Sequence, residues 1–281
     1  MGKKTRLLVC LGIFIIVLGV SLVGFAGTVG NPASPDTLKG AGVFNLKQSK
    51  NIPIETGVDV EILFDRDIKG DKASSAKFDS GQWYMAKIAF TMFDRIEPYV
   101  KLGAAHLEAT WKATDMSDIE AKLESDTGFA WGLGAKALIW DFKQPKIKLI
   151  SDGFYRVADL DGHKGKLHSA PATIDTSKSK IAISEWQIAL LAATEIDMAK
   201  SEAGISKLVP YIGVKYSDMR GALKLVTPAG SEYRVADMKA DNNFGIVVGT
   251  DLVGSNDSFS VNLEGRFIDE TAMTIGLAVL F

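Results

Sequence analysis

The stretch "TAMTIGLAVLF", Thr271 to Phe281, is apolar at every second position: Met273, Ile275, Leu277, Val279 and Phe281. Between them stand Ala272, Thr274, Gly276 and Ala278, small or weakly polar, and then Leu280. A period of two belongs to a β-strand, whose successive side chains point to opposite faces. One face of this strand suits an apolar medium, the other a confined interior.

The pattern recurs upstream. "ETGVDVEILF" (55–64) sets Val58, Val60, Ile62 and Phe64 against Asp59 and Glu61, and "WYMAKIAFTMF" (83–93) sets Tyr84, Ala86, Ile88 and Phe90 against Lys87. "GFAWGLGAKALIW" (128–140) opposes Phe129, Trp131 and Leu133 to Gly132, Gly134 and Lys136. "EWQIALLAATEI" (185–196), "LVPYIGVKY" (208–216), "FGIVVGTDL" (244–252) and "FSVNLEGRF" (259–267) alternate in the same way, and 99–111 and 146–157 do so more weakly. The count is about ten strands, with twelve as the upper figure. Most are near the length a tilted strand needs to cross a bilayer.

Connection lengths separate a membrane barrel from a soluble sandwich. Counted back from Phe281, the connections 254–257, 198–207, 141–145 and 94–97 are short, while 221–242, 159–182, 112–126 and 67–79 are long. Only 269–271 breaks the alternation. Short turns at one end and long loops at the other are the layout of outer-membrane barrels, with the short turns on the periplasmic side. Lipid offers no hydrogen-bond partner, so the sheet must close on itself. The expected fold is all-β: a closed antiparallel transmembrane barrel with longer extracellular loops. Aromatics near strand ends, among them Trp83, Tyr84, Tyr99, Trp111, Trp140, Tyr155, Trp186 and Tyr216, are expected to form the interfacial girdles. Within "ATDMSDIEAKLESD" (113–126), Ser117 and Glu120 have capping-box spacing, which predicts a short surface helix.

Composition excludes several classes. The chain has 281 residues, Lys+Arg 32 against Asp+Glu 34 and a net charge of −2, which gives no reason to expect nucleic acid. No apolar run beyond the amino terminus approaches 18 residues, against a helical membrane bundle. The opening "MGKKTRLLVCLGIFIIVLGVSLVGFAG" has a basic start, an apolar run and a small-residue exit, and reads as a signal peptide over 1–26 that directs export. A periplasmic lead-in over 27–54 and the barrel over 55–281 complete the expected division. Cys10 is the one cysteine, so a mature chain would have neither disulfides nor thiolate or cysteine–zinc chemistry. Of the three histidines, His106 falls on a strand, and His163 and His168 lie in a charged, Gly-rich loop. No catalytic, cofactor-binding or metal-ligating residue is assigned, and no enzymatic role is expected.

The inward positions carry the chemistry. Asp59, Glu61, Lys87, Lys101, Lys136, Lys148, Glu185, Glu195, Lys215, Asp251, Glu264 and Arg266 are expected to face the lumen, with Asp152, Lys146 and Arg156 beside them. Seven acids against eight bases predict an interior that pairs its charges, since an unpaired buried charge is very costly. Such a lumen would set a weak ion preference.

At 185–217, "EWQIALLAATEIDMAKSEAGISKLVPYIGVKYS" resembles the chlamydial major outer membrane protein (MOMP) family. "GNPASP" (30–35), "FDR" (64–66 and 93–95), "FGIVVGTDLV" (244–253) and "LEGRFIDETA" (263–272) extend the resemblance. It implies a Gram-negative outer-membrane porin with a structural envelope role, passing small hydrophilic solutes passively. It also implies partners: outer-membrane lipid, the assembly machinery that reads Met273, Ile275, Leu277, Val279 and Phe281 as a terminal signal, and further copies in a homo-oligomer. Family members hold many cysteines that cross-link the envelope; a mature chain without cysteine would not share that disulfide-linked rigidity. The alternative expectation is a non-conducting surface barrel whose extracellular loops bind a partner.

Overall fold

The computed structural model describes residues 54–70, 73–92, 95–113, 119–142, 144, 146–169, 172–176, 179–198, 204–226, 232–254, 257 and 259–280. The signal assigned to 1–26 and residues 27–53 of the lead-in assigned to 27–54 lie outside them, as does Phe281, while Ile54 opens the first strand. The strands are β1 (Ile54–Gly70), β2 (Ala73–Phe90), β3 (Ile96–Ala113), β4 (Ile119–Ser125), β5 (Gly128–Phe142), β6 (Ile147–Ser169) and β7 (Ala172–Thr176). They continue as β8 (Ser179–Thr194), β9 (Ile196–Asp197), β10 (Ile205–Val226), β11 (Glu232–Ala240), β12 (Phe244–Gly254), β13 (Phe259–Phe267) and β14 (Thr271–Leu280).

Three runs of strands are each one interrupted stave of the wall: β4 with β5, β7 with β8 and β9, and β11 with β12. β4 and β5 share both neighbours, β3 and β6. Ten antiparallel staves result, and the seam is β1 on β14, from Thr56 opposite Val279 to Ile62 opposite Met273. That pairing leaves no open edge in hydrocarbon. The fold is the closed barrel that the alternation predicts.

The long connections are placed where expected but are folded differently. β10 and β11 pair to Val226 opposite Glu232, β6 and β7 to Ser169 opposite Ala172, and β3 and β4 to Lys112 opposite Glu120. Cross-strand pairing continues the ladders far past the membrane and consumes most residues of 112–126, 159–182 and 221–242. The surface helix is overturned: Ile119 to Ser125 form β4, and 114–118 lie outside the described residues. The β13–β14 hairpin stops short, and above it β1 pairs directly with β11, Ile68 opposite Ala240 and Gly70 opposite Met238. Ten staves thus narrow to eight (β1, β2, β3, β4, β6, β7–β8, β10 and β11). The short 269–271 connection is the sequence trace of that narrowing.

Burial follows the pleat. On β10, Ile212 is 58% exposed and Lys215 is 1% exposed. Ile54, Ile62, Phe64, Ile88, Leu102, Leu133, Ile188 and Val214 are exposed apolar side chains on the outer face, the band that meets lipid. From Ile54 to Phe64, β1 rises roughly 33 Å along its axis, or about 23 Å at a tilt near 45°, close to the height of an outer-membrane apolar band. The band ends in aromatics. Trp186, Tyr216 and Phe244 are in ring contact, with centroids 5.3 and 5.0 Å apart, and Trp131 meets Tyr155 at 6.0 Å. Just beyond stand Gln82, Asp159, Asp218 and Asn242. Trp83, Tyr99 and Trp111 depart from the girdle expectation: Trp83 and Tyr99 point inward and are 3% and 4% exposed, and Trp111 packs against the interior apolar layer.

Inside the narrowed part sits an apolar layer that includes Leu63, Phe78, Leu107, Leu160, Ile183 and Met219. An eight-stave ring is just wide enough for side chains to fill. A void of about 10 Å³ among Ile68, Ala76, Trp111, Leu123 and Met238 is room for one water at most. Ionised side chains occupy the wider part below.

Candidate functional site

β1 turns Glu55, Asp59 and Glu61 inward by strict alternation. A register shift between Leu63 and Asp65 then changes parity, so that Arg66 also points in. β2 supplies Lys87, β3 Glu97 and Lys101, β5 Lys136, β6 Asp152 and Arg156, β8 Glu185, β10 Lys215, β12 Asp251, and β13 Glu264 and Arg266. The turn after β13 adds Asp269 and Glu270. Ile268 takes φ 85° there, a strained value for a β-branched residue, and the turn folds both carboxylates back into the interior, where each is 3% exposed.

The groups pair in two tiers. In the periplasmic tier, Lys87 Nζ lies 2.5 Å from Glu55 and 3.6 Å from Glu97, Lys136 lies 3.1 Å from Glu97, and Lys101 lies 2.8 Å from Asp59. The middle tier is a continuous network. Arg156 bridges Glu61 at 2.8 Å and Glu185 at 2.6 Å, and Arg66 bridges Glu185 at 2.6 Å and Glu270 at 3.4 Å. Arg266 joins Glu61 at 2.5 Å and Glu270 at 3.3 Å. Lys215 closes the circuit on Glu270 and on Asp269 at 2.9 Å. The Arg156 guanidinium also lies over the Trp83 ring, 4.1 Å from its centre. Stripping water from one ion costs several kcal/mol, so only such mutual pairing makes this tier tolerable.

Hydrogen bonds serve the remaining carboxylates. The Tyr99 hydroxyl donates to Asp152 at 2.8 Å, and the Tyr211 hydroxyl donates to Glu264 at 2.8 Å. The Asn262 amide donates to Tyr211 Oη at 2.9 Å and to Asp251. A methyl group at Gly249 would run into the Tyr211 ring, so that glycine gives the tyrosine its place over β12.

Of the twelve charged positions assigned to the lumen, Asp59, Glu61, Lys87, Lys101, Lys136, Glu185, Lys215, Asp251, Glu264 and Arg266 are buried in this interior. Lys148 and Glu195 pair with each other at the periplasmic rim, half-buried. Lys146 is exposed in the turn before β6. Five interior groups escaped the sequence reading: Glu55, Arg66, Glu97, Asp269 and Glu270. Arg66 was hidden by the bulge, and Asp269 and Glu270 by the tight turn. Among the described residues, the interior holds ten carboxylates (Glu55, Asp59, Glu61, Glu97, Asp152, Glu185, Asp251, Glu264, Asp269 and Glu270) and seven bases (Arg66, Lys87, Lys101, Lys136, Arg156, Lys215 and Arg266). The expectation of seven acids against eight bases gives way to an acidic excess.

The terminal positions Met273, Ile275, Leu277 and Val279 lie on the outer side of β14, opposed to β1 and partly exposed. His106, Glu108 and Glu124 bring ligand atoms within 4.8 Å of one another on the outer face, with His106 Nε2 3.8 Å from Glu108. His163 and His168 have side chains outside the described set.

No protein-family model matches the chain. It is 23% identical over 279 residues to the "Major outer membrane porin" of Chlamydia psittaci, covering 70% of this chain and 69% of that protein. Against the serovar F protein of Chlamydia trachomatis, identity is 26% over 221 residues, 57% of this chain and 53% of that one. The serovar L3 protein gives 24%, with 60% and 55% covered, so the chain spans about half the length of these C. trachomatis relatives. Among solved structures it resembles the translocator domain of the autotransporter NalP from Neisseria meningitidis (TM-score 0.41, 11% identity, 84% of this chain and 90% of that one). It also resembles the outer membrane protease OmpT from Escherichia coli (TM-score 0.46, 10% identity, 81% and 97%). The chain is a β-barrel of the bacterial outer membrane, similar in sequence to the chlamydial major outer membrane porins.

Proposed function

We propose that the barrel serves passive diffusion of small hydrophilic solutes across the outer membrane, with an added structural role in the envelope. In the conformation described here its route is shut. The observation that carries this reading is the ionised interior. A barrel that needed only to stay closed could hold apolar side chains in place of buried ion pairs, often with no loss of stability. The charged network is therefore the feature a water path needs. Closure is physical: Lys101 and Arg266 are 1% and 0% exposed, and the apolar layer lies above them. The name "porin" carried by the relatives agrees with a channel and assigns no catalytic residue. On the same reading Met273 to Phe281 are the strand offered to the assembly machinery.

A second reading is a non-conducting surface barrel whose extracellular extension binds a partner. The apolar layer at Phe78, Leu107 and Leu160 favours it, since no hydrophilic solute crosses such a layer without displacing it.

Planar-bilayer recording separates the two. The wild-type barrel is expected to show rare, brief openings. Phe78→Ser combined with Leu107→Ser, folded as judged by heat-modifiable gel migration, is expected to conduct in sustained steps. Silence from both proteins across many refolded samples ends the channel reading.

A further inference from the structure

Two carboxylates enter the interior from a turn, not from a strand. Ile268 holds φ 85°, a left-handed value that is costly for a β-branched side chain, and Asp269 and Glu270 are thereby brought round from the end of β13 into the barrel. The neighbouring wall is shaped to receive them. Gly245 on β12 lies so close to Asp269 that a methyl group there would overlap its carboxylate. The Ser217 hydroxyl donates to Asp269 at 3.0 Å, and the Asn243 amide donates to the Ser217 carbonyl at 2.6 Å, which fixes that part of β10. A strained backbone persists only where its surroundings hold it, and such places cluster at functional sites.

The charge count of the middle tier is the second observation. Its bases are Arg66, Arg156, Arg266 and Lys215, and its acids are Glu61, Glu185, Asp269 and Glu270, four against four. The strands alone supply only Glu61 and Glu185, so without the turn four bases would meet two acids, a surplus of two positive charges. The tier reaches from β1 and β13 to β6, β8 and β10, and whatever passes through the barrel passes it. Arginines and lysines gathered around a narrow path select anions.

We propose that Asp269 and Glu270 are the specificity-determining residues of the barrel: their turn holds the middle tier neutral and denies small anions the four-base site that the strands alone would build. This inference rests on the channel reading above and names the element that sets its ion preference. Small anions, inorganic phosphate among them, gain no advantage at the tier over cations and uncharged hydrophilic solutes.

The test is the reversal potential in a KCl gradient across a planar bilayer, measured on the full refolded barrel carrying Phe78→Ser and Leu107→Ser, the background expected to conduct in sustained steps. Asp269→Asn combined with Glu270→Gln is expected to lower the potassium-to-chloride permeability ratio roughly fivefold, the effect of two unit charges about 7 Å from the ion path in screened water. Glu270→Gln alone leaves four bases to three acids. It is expected to give about half of that logarithmic shift, and it carries the test should the double substitution fail to fold. Adding Lys215→Met to Glu270→Gln sets three bases against three acids and is expected to return the ratio to that of the background, a rescue that a merely structural turn would not give. Unchanged selectivity in a conducting turn variant, or a shift that Lys215→Met does not reverse, would overturn the inference and leave the channel standing. Silence from the background protein would overturn the channel reading, and this inference with it.

Discussion

Arg266→Met is expected to lower the stability of the barrel by about 3–5 kcal/mol, the range for breaking a buried ion pair by removing one partner. Arg266 is fully buried and holds Glu61 and Glu270 at once. Its loss leaves both carboxylates inside a sealed wall. Arg156 still holds Glu61, and Lys215 and Arg66 still hold Glu270, so the lower half of the range is the expected result. Adding Glu61→Gln to Arg266→Met is expected to recover part of the loss, because members of one network do not add. Arg220→Met is the control. That side chain is 79% exposed beside Asp218, and its loss should move stability by less than about 1 kcal/mol. Urea unfolding of the refolded protein measures all three. A cost below 1 kcal/mol for Arg266→Met would mean that the middle tier is hydrated.

Ile212→Arg is expected to cost about 2–4 kcal/mol in bilayers, the penalty for arginine on the lipid face near the midplane, falling to about 0–1 near the interfaces. Ile212 lies outward on β10 midway between Leu208 and the girdle residue Tyr216, and Asp218 lies past the girdle. Arginine introduced at Asp218 should therefore be nearly neutral. Equal costs at the two positions would contradict the assignment of the band. The measurement is reversible unfolding in lipid vesicles, in which the apolar face has a membrane to meet.

Most of the barrel was legible in the sequence because its two faces meet media of opposite character. That contrast writes itself into every second residue, from Val58 and Val60 against Asp59 and Glu61 to Ile275 and Leu277 against Thr274 and Gly276. Strand ends were less legible. Past the girdle both media are polar or protein, and alternation fades in the segments that β4, β7 and β11 occupy; only cross-strand pairing reveals them. The interior was legible where parity held and illegible where it broke. The bulge after Leu63 hid Arg66, and the tight turn at Ile268 hid Asp269 and Glu270, which anchor Lys215. Both irregularities left a trace in the quoted "FDR" and "FIDE" stretches, where charged residues interrupt an apolar period. That trace gives no direction for the side chains.

A cysteine scan along β10, residues 210 to 217 in a Cys10→Ser background, tests the central claim most directly. Each cysteine carries a nitroxide, and collision with oxygen and with a water-soluble nickel chelate is read by electron paramagnetic resonance in lipid vesicles. Labels at 212, 214 and 216 should meet oxygen from the lipid, while those at 211, 213 and 215 should meet neither quencher. Nickel access at 211, 213 and 215 would contradict the closed interior, and nickel access at 212 and 214 would contradict the membrane-facing wall itself.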